Sequence, residues 1–129
     1  MGDISRYRND TYPIYATIRR EDGTVMPIDG CSFTLTVNER ANPSDSEDEV
    51  FQSDGVIIGD PAAGRVAFPV PGTTDPGKYF FDIQMIDTQG YRRTIEKGGY
   101  RLFQDITKSR RLKGTILGTT TLAADLMVV

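Results

Sequence analysis

Apolar and polar residues alternate through most of this chain, and turn signals interrupt the alternation at intervals of about ten residues. In residues 10–20, Ile14, Ala16 and Ile18 fall on one side and Tyr15, Thr17 and Arg19 on the other. A period of two marks a half-buried strand. Pro13 has no amide donor, so it belongs at the start of that strand or on an edge. Glu21-Asp22-Gly23-Thr24 predicts a hairpin turn, Gly23 providing the positive φ that a tight turn needs. Asp29-Gly30 predicts a second turn. Residues 31–37 then alternate most cleanly, with Cys31, Phe33, Leu35 and Val37 inward and Ser32, Thr34 and Thr36 outward.

Residues 39–53 read as a long polar loop containing Asn42-Pro43 and the acidic run Asp45, Glu47, Asp48 and Glu49. A short strand is expected at 55–58 and a turn at 60–64. Another strand follows at 65–70, with Val66, Phe68 and Val70 on one face. After a turn cluster at 71–77, residues 79–87 predict a long strand with Tyr79, Phe81, Ile83 and Met85 on one side. Asp87 to Gly90 turns into a strand at 91–95. Gly98-Gly99 is expected to break the run, and 100–103 closes the domain. Seven or eight short strands with turns between them favour an all-β sandwich. Asp75-Pro76-Gly77-Lys78-Tyr79, a turn leading into a strand-start Tyr, fits a tyrosine corner, in which the phenol bonds backbone a few residues upstream. The positions assigned structural roles are Gly23, Gly30, Gly77, Tyr79, Cys31, Phe33, Leu35, Phe68, Phe81 and Ile83.

The tail, residues 108–129, has a different character. Lys108, Arg110, Arg111 and Lys113 make its start basic. A Thr-rich middle contains Leu117, and the end, from Leu122 through Leu126, Met127 and Val128, is mostly apolar. An exposed apolar end is an aggregation liability that burial against another chain removes. A β-favouring segment achieves this by adding a strand to an open sheet edge. The expected partner-binding residues are therefore Lys108, Arg110, Arg111, Lys113, Leu117, Leu122, Leu126, Met127 and Val128.

Composition narrows the function. The 129 residues include no His, no Trp and one Cys, so the common His-based catalytic and metal constellations are excluded. Lone Cys31 cannot form an internal disulfide and reads as a small buried hydrophobe. Net charge is −3, which makes no case for nucleic acid. Residues 1–103 carry 11 Lys and Arg against 16 Asp and Glu, whereas 104–129 carry four against two. An acidic body with a basic arm suits pairing between subunits. The acidic run has the oxygens for calcium but no turn Gly before Gly55, so it reads as solvated. No apolar run reaches membrane-spanning length, and the N-terminus lacks the pattern of a signal peptide. No cofactor, small-molecule substrate or membrane is expected.

Several segments together resemble the immunoglobulin-like N-terminal domain of phage baseplate upper proteins and related tail-associated modules. Asn9-Asp10-Thr11-Tyr12-Pro13-Ile14 resembles the opening strand of that family. The stretch from Asp22-Gly23 through Pro27, Asp29-Gly30 and Phe33 is similar to its second segment. Pro76-Gly77-Lys78-Tyr79-Phe80-Phe81-Asp82-Ile83-Gln84 is similar to its "PG-x-Y-x-Y-x-I" strand. Gly90-Tyr91-Arg92-Arg93-Thr94-Ile95 and Asp105-Ile106-Thr107 resemble its closing hairpin and end. The resemblance covers about residues 9–107 and implies an immunoglobulin-like antiparallel β-sandwich. With it comes a non-enzymatic virion role, assembled in the host cytoplasm, as an adaptor or decoration subunit of the tail or baseplate. The implied partners are copies of itself and a tail or capsid protein. A capsid-decorating or neck protein of the same fold is an alternative. So is a glycan-binding module using the outward aromatics Tyr15 and Phe80. The expected organisation is an N-terminal arm at 1–9, a sandwich at 10–107 and an extended C-terminal arm at 108–129.

Overall fold

The computed structural model describes residues 3–40, 49–104 and the backbone of 125–128. Among the described residues, nine strands lie in two sheets. They are β1 (Ile4–Tyr7), β2 (Ile14–Ile18), β3 (Ser32–Asn38), β4 (Glu49–Asp54), β5 (Val56–Ile57), β6 (Arg65–Phe68), β7 (Gly77–Ile86), β8 (Arg92–Phe103) and β9 (Asp125–Val128). One sheet has the order β1-β8-β7-β3-β4 and the other β5-β6-β2-β9. The pairings are antiparallel except β1 with β8 and β2 with β9. The strand order is that of an immunoglobulin-like sandwich. In that fold the first, second, fifth and fourth strands form one sheet, and the third, sixth and seventh the other. Here β2, β6 and β5 keep the places of the second, fifth and fourth strands, and β3, β7 and β8 those of the third, sixth and seventh. β1 has joined the opposite sheet, beside β8, and β9 stands where a first strand would stand beside β2.

The alternation that predicts the strands also builds the core. Ile14, Ala16, Ile18, Val66 and Phe68 come from the four-stranded sheet. Facing them are Phe33, Leu35, Val37, Phe81, Ile83, Met85, Tyr100 and Leu102 from the five-stranded sheet, all buried. The turns follow their predicted chemistry. Gly23 has φ of 90° in the tight turn closed by the Arg20 amide on the Thr24 carbonyl. Asp22 accepts from the backbone amide of Thr24 at 2.9 Å and from its hydroxyl at 2.6 Å. These bonds hold its carboxyl below the usual range.

Four sequence expectations need correction. Residues 1–9 are not simply an arm: Ile4–Tyr7 is a strand, and Ile4 is fully buried. Two buried positions alternating with two exposed ones make too short a pattern to stand out in sequence. The polar loop expected at 39–53 gives way at Glu49 to β4. A bulge opposite Val37 and Asn38 leaves Val50 between the paired Glu49 and Phe51, which spoils the period of two. Buried Ser53 donates to the Pro69 carbonyl, so a hydroxyl occupies an inward place. Gly98-Gly99 does not break the chain, because β8 runs unbroken through it. Both glycines are paired with aromatic residues, Gly98 opposite Phe81 and Gly99 opposite Phe80, an arrangement that supports glycine inside a sheet. Finally, Cys31 is half-buried rather than buried, at the margin of the core.

Gly55 carries a constraint the sequence did not suggest. It lies where the chain leaves β4 for β5 and passes to the other sheet. A Cβ there would sit 2.5 Å from Val66 Cγ1 and 2.9 Å from Phe68 Cε1, so only glycine fits the crossing.

Candidate functional site

The strongest feature is the outer edge of β2. By chain order the first strand would cover this edge, but β1 pairs with β8 instead. β9 covers it, running parallel to β2 in the register Tyr15 with Asp125, Ala16 with Leu126, Thr17 with Met127 and Ile18 with Val128. An uncovered strand exposes a row of unpaired amides and carbonyls, and an added strand satisfies them. Of the expected partner-binding residues, Leu126, Met127 and Val128 are brought to this edge. Lys108, Arg110, Arg111, Lys113, Leu117 and Leu122 lie outside the described residues.

The second feature lies at the end of the sandwich where β1 and β8 finish and β7 begins. Tyr79 forms the predicted corner, its hydroxyl donating to the Asp75 carbonyl at 2.6 Å. Tyr79 and Phe51 both meet Tyr100 edge-on, at 6.4 and 6.0 Å between ring centroids. Burial raises the Tyr79 phenol above its ordinary range. It also raises the phenol of Tyr100, against the opposing effect of the nearby Arg6 charge.

Arg6, which the sequence reading passed over, is only 2% exposed. Its guanidinium stacks 4.2 Å from the centroid of Tyr12. Nη2 donates to the Tyr12 carbonyl at 2.6 Å and to the Asp10 carbonyl at 3.3 Å, while Nη1 is buried with no hydrogen-bond partner among the described residues. The side chain thus ties the connection between β1 and β2 to the body. A cue was present in the sequence: Arg6 follows Ile4 at the inward period of two.

The outward aromatics do not form the single face that a glycan platform would need. Tyr15 is half-buried on the four-stranded sheet, 5.9 Å from the Arg65 guanidinium. Phe80 is on the five-stranded sheet, on the opposite side of the sandwich. Phe80 does share its face with two other exposed rings, Tyr7 and Phe103, which lie 5.7 Å apart on paired strands.

Titratable groups offer little chemistry. Among the described residues no group of three His, Cys, Asp or Glu is arranged to hold a metal. Burial raises the Cys31 thiol, and the charges of Asp87 and Asp29 add to the effect, so the thiolate that would react is disfavoured. Burial also raises the Asp82 carboxyl, against an opposing effect from Lys97.

No protein-family model matches the chain, and no curated protein matches it. Among solved structures, it is similar to the crystal structure of CopC from Methylosinus trichosporium OB3b. The identity is 9%, the TM-score 0.43, and the match covers 85% of this chain and 89% of that one. At that distance the likeness carries no argument about activity.

Proposed function

We propose that this chain is a non-enzymatic structural protein of a phage particle, an adaptor or decoration subunit of the tail or baseplate that docks on neighbouring subunits through its C-terminal arm. One observation bears on the docking part of this reading: within the chain, β9 fills the β2 edge as a parallel strand, so docking on a neighbour takes the form of an exchange in which β9 leaves its own β2 for the same edge of another copy. Strand addition of this kind gives affinity through main-chain hydrogen bonds and specificity through alternate side chains. It suits assembly, because the edge accepts a segment of the right pattern from any chain that reaches it. In the same reading, Lys108, Arg110, Arg111 and Lys113 pair with acidic surface. The placement in a phage particle rests on the sequence resemblance, and a capsid-decorating or neck subunit is the alternative within the same class.

The test compares the full chain with one ended at Thr107. The full chain is expected to join the particle and the shortened one to be lost from it. A shortened chain that folds and joins at unchanged occupancy overturns the proposal. A synthetic peptide of residues 120–129 separates docking from folding. It should bind the shortened chain saturably, and a scrambled peptide should not.

A further inference from the structure

The outer face of the five-stranded sheet is charged in opposite senses at its two sides. On the β1–β8–β7 side, Arg101 of β8 stands directly opposite Lys78 of β7 and beside Ser5 of β1. Both cations are exposed, and among the described residues no carboxylate is paired with either. Like charges directly opposite each other across a sheet are destabilising. Three exposed rings surround this pair. Arg101 lies 5.5 Å from the centroid of Phe103, Tyr7 is paired with Phe103, and Phe80 is two residues along β7 from Lys78. The nearby Asp3 accepts from the Gly99 amide at 2.9 Å through one oxygen and keeps its negative charge, which offsets only part of the positive charge of the pair.

The far side of the same face ends in β4. There Glu49, opposite Asn38, and Asp54, opposite Thr34, are exposed, and the sequence entering β4 is acidic. Between the two sides lie Thr34 and Thr36 of β3, the Thr36 hydroxyl accepting from the Gln52 amide of β4 at 3.2 Å, and Asp82 of β7, which stands opposite both Thr36 and Lys97, so that this charge pair is internal to the face. From the spacing of strands, two to three strand intervals separate the cations from β4, roughly 10–15 Å. That exceeds a screening length of about 8 Å at physiological salt. The two sides therefore do little to neutralise each other within one chain.

From this arrangement we infer that the face is a head-to-tail interface between copies of this chain, in which the Lys78, Arg101, Tyr7 and Phe103 corner of one copy receives the Glu49 and Asp54 edge of the next. The occupant follows from charge. An acidic edge relieves the Lys78–Arg101 repulsion, and every copy carries one. The rings give the contact apolar area, and Tyr and Arg are the residue types on which interface energy concentrates. A contact between two different patches is heterologous, so it closes into a ring or extends as a filament rather than stopping at a two-fold dimer. It is independent of the C-terminal arm.

The experiment is light scattering on the full chain across a concentration series, in 50 mM and 500 mM salt. Association beyond a monomer is expected, at least tenfold weaker at the higher salt. The double variant K78E/R101E should be monomeric, and so should E49K/D54K. Mixed in equal amounts, the two variants should associate again, each supplying the one reversed patch that matches the other. A monomeric wild type, or association that survives charge reversal, overturns the inference. So does a monomeric wild type retained on an anionic polysaccharide column through Lys78 and Arg101, which would assign the corner to a glycan. Loss of the arm in the chain ended at Thr107 should leave this association in place, so failure here and failure of the arm proposal give different results.

Discussion

Arg6 provides a sharp test of how this fold is held. Its charge is buried, its partners are two carbonyls and a ring, and among the described residues one of its nitrogens has no partner. Three effects compete. A hydrogen bond from a charged group contributes about 1.5–3 kcal/mol, and only the 2.6 Å bond to Tyr12 is short enough to count fully. Stacking on Tyr12 in a desolvated place contributes about 1–2 kcal/mol. Against these stands the desolvation of a cation, several kcal/mol. The sum predicts that the charge itself adds little and that the volume of the side chain matters more. Arg6→Ala removes bond, stacking and packing together and is expected to destabilise by about 3 kcal/mol. Arg6→Met keeps most of the volume and removes the desolvation, so it should lie within about 1.5 kcal/mol of wild type. Arg6→Lys keeps a buried charge but loses the planar fork and the stacking, and it should be worse than Met. Urea denaturation with a common m-value provides the ranking. If Lys proves more stable than Met, the charge is a net stabiliser and the reasoning fails.

Tyr79→Phe removes only the hydroxyl bonded to the Asp75 carbonyl, and that carbonyl is free to meet water in an exposed turn. The expected loss is about 1 kcal/mol, a fall of roughly 3–5 °C in melting temperature, and no measurable fall would mean the corner bond is ornamental. Asp82 has a raised folded-state pKa, so the folded chain binds its proton more readily than the unfolded chain does. Its ionisation therefore costs stability, a cost absent below the ordinary value of 3.8 and complete once pH has risen through the raised value. Asp82→Asn should raise the urea midpoint at pH 7 and change it much less at pH 3; an equal shift at both would refute the assignment.

Where the sequence could be read, one physical rule was enough. The run from Cys31 to Val37 and the strand bearing Phe81, Ile83 and Met85 alternate because one side of each faces the other sheet. The Tyr79 corner was legible because a turn with Gly77 must precede a strand-start Tyr. What stayed hidden broke the rule locally. Val50 is an extra residue in a bulge, so β4 reads as loop. The residue at the inward place of β1 after Ile4 is an arginine, and β1 reads as an arm. The glycines of β8 look like an interruption until the aromatic residues opposite them are known, and such pairing across strands is not written in any single segment. The site was legible in one respect, since the apolar end of the tail reads as a strand seeking an edge. The face carrying Lys78, Arg101, Tyr7 and Phe103 was not, because three strands contribute to it and their register must be known first.

The pairing of β9 with β2 also sets a clock. Tyr15 meets Asp125 across a separation of 110 residues in the chain. At a synthesis rate of about 5–20 residues per second, β2 leaves the ribosome roughly 5–20 s before its own edge partner exists. β1 is made before β2, and β3 to β8 in that interval, so the sandwich has time to form with one side of β2 still unpaired. Each new molecule thus passes through a period in which that edge is open, and it closes when the C-terminal segment of the same chain arrives.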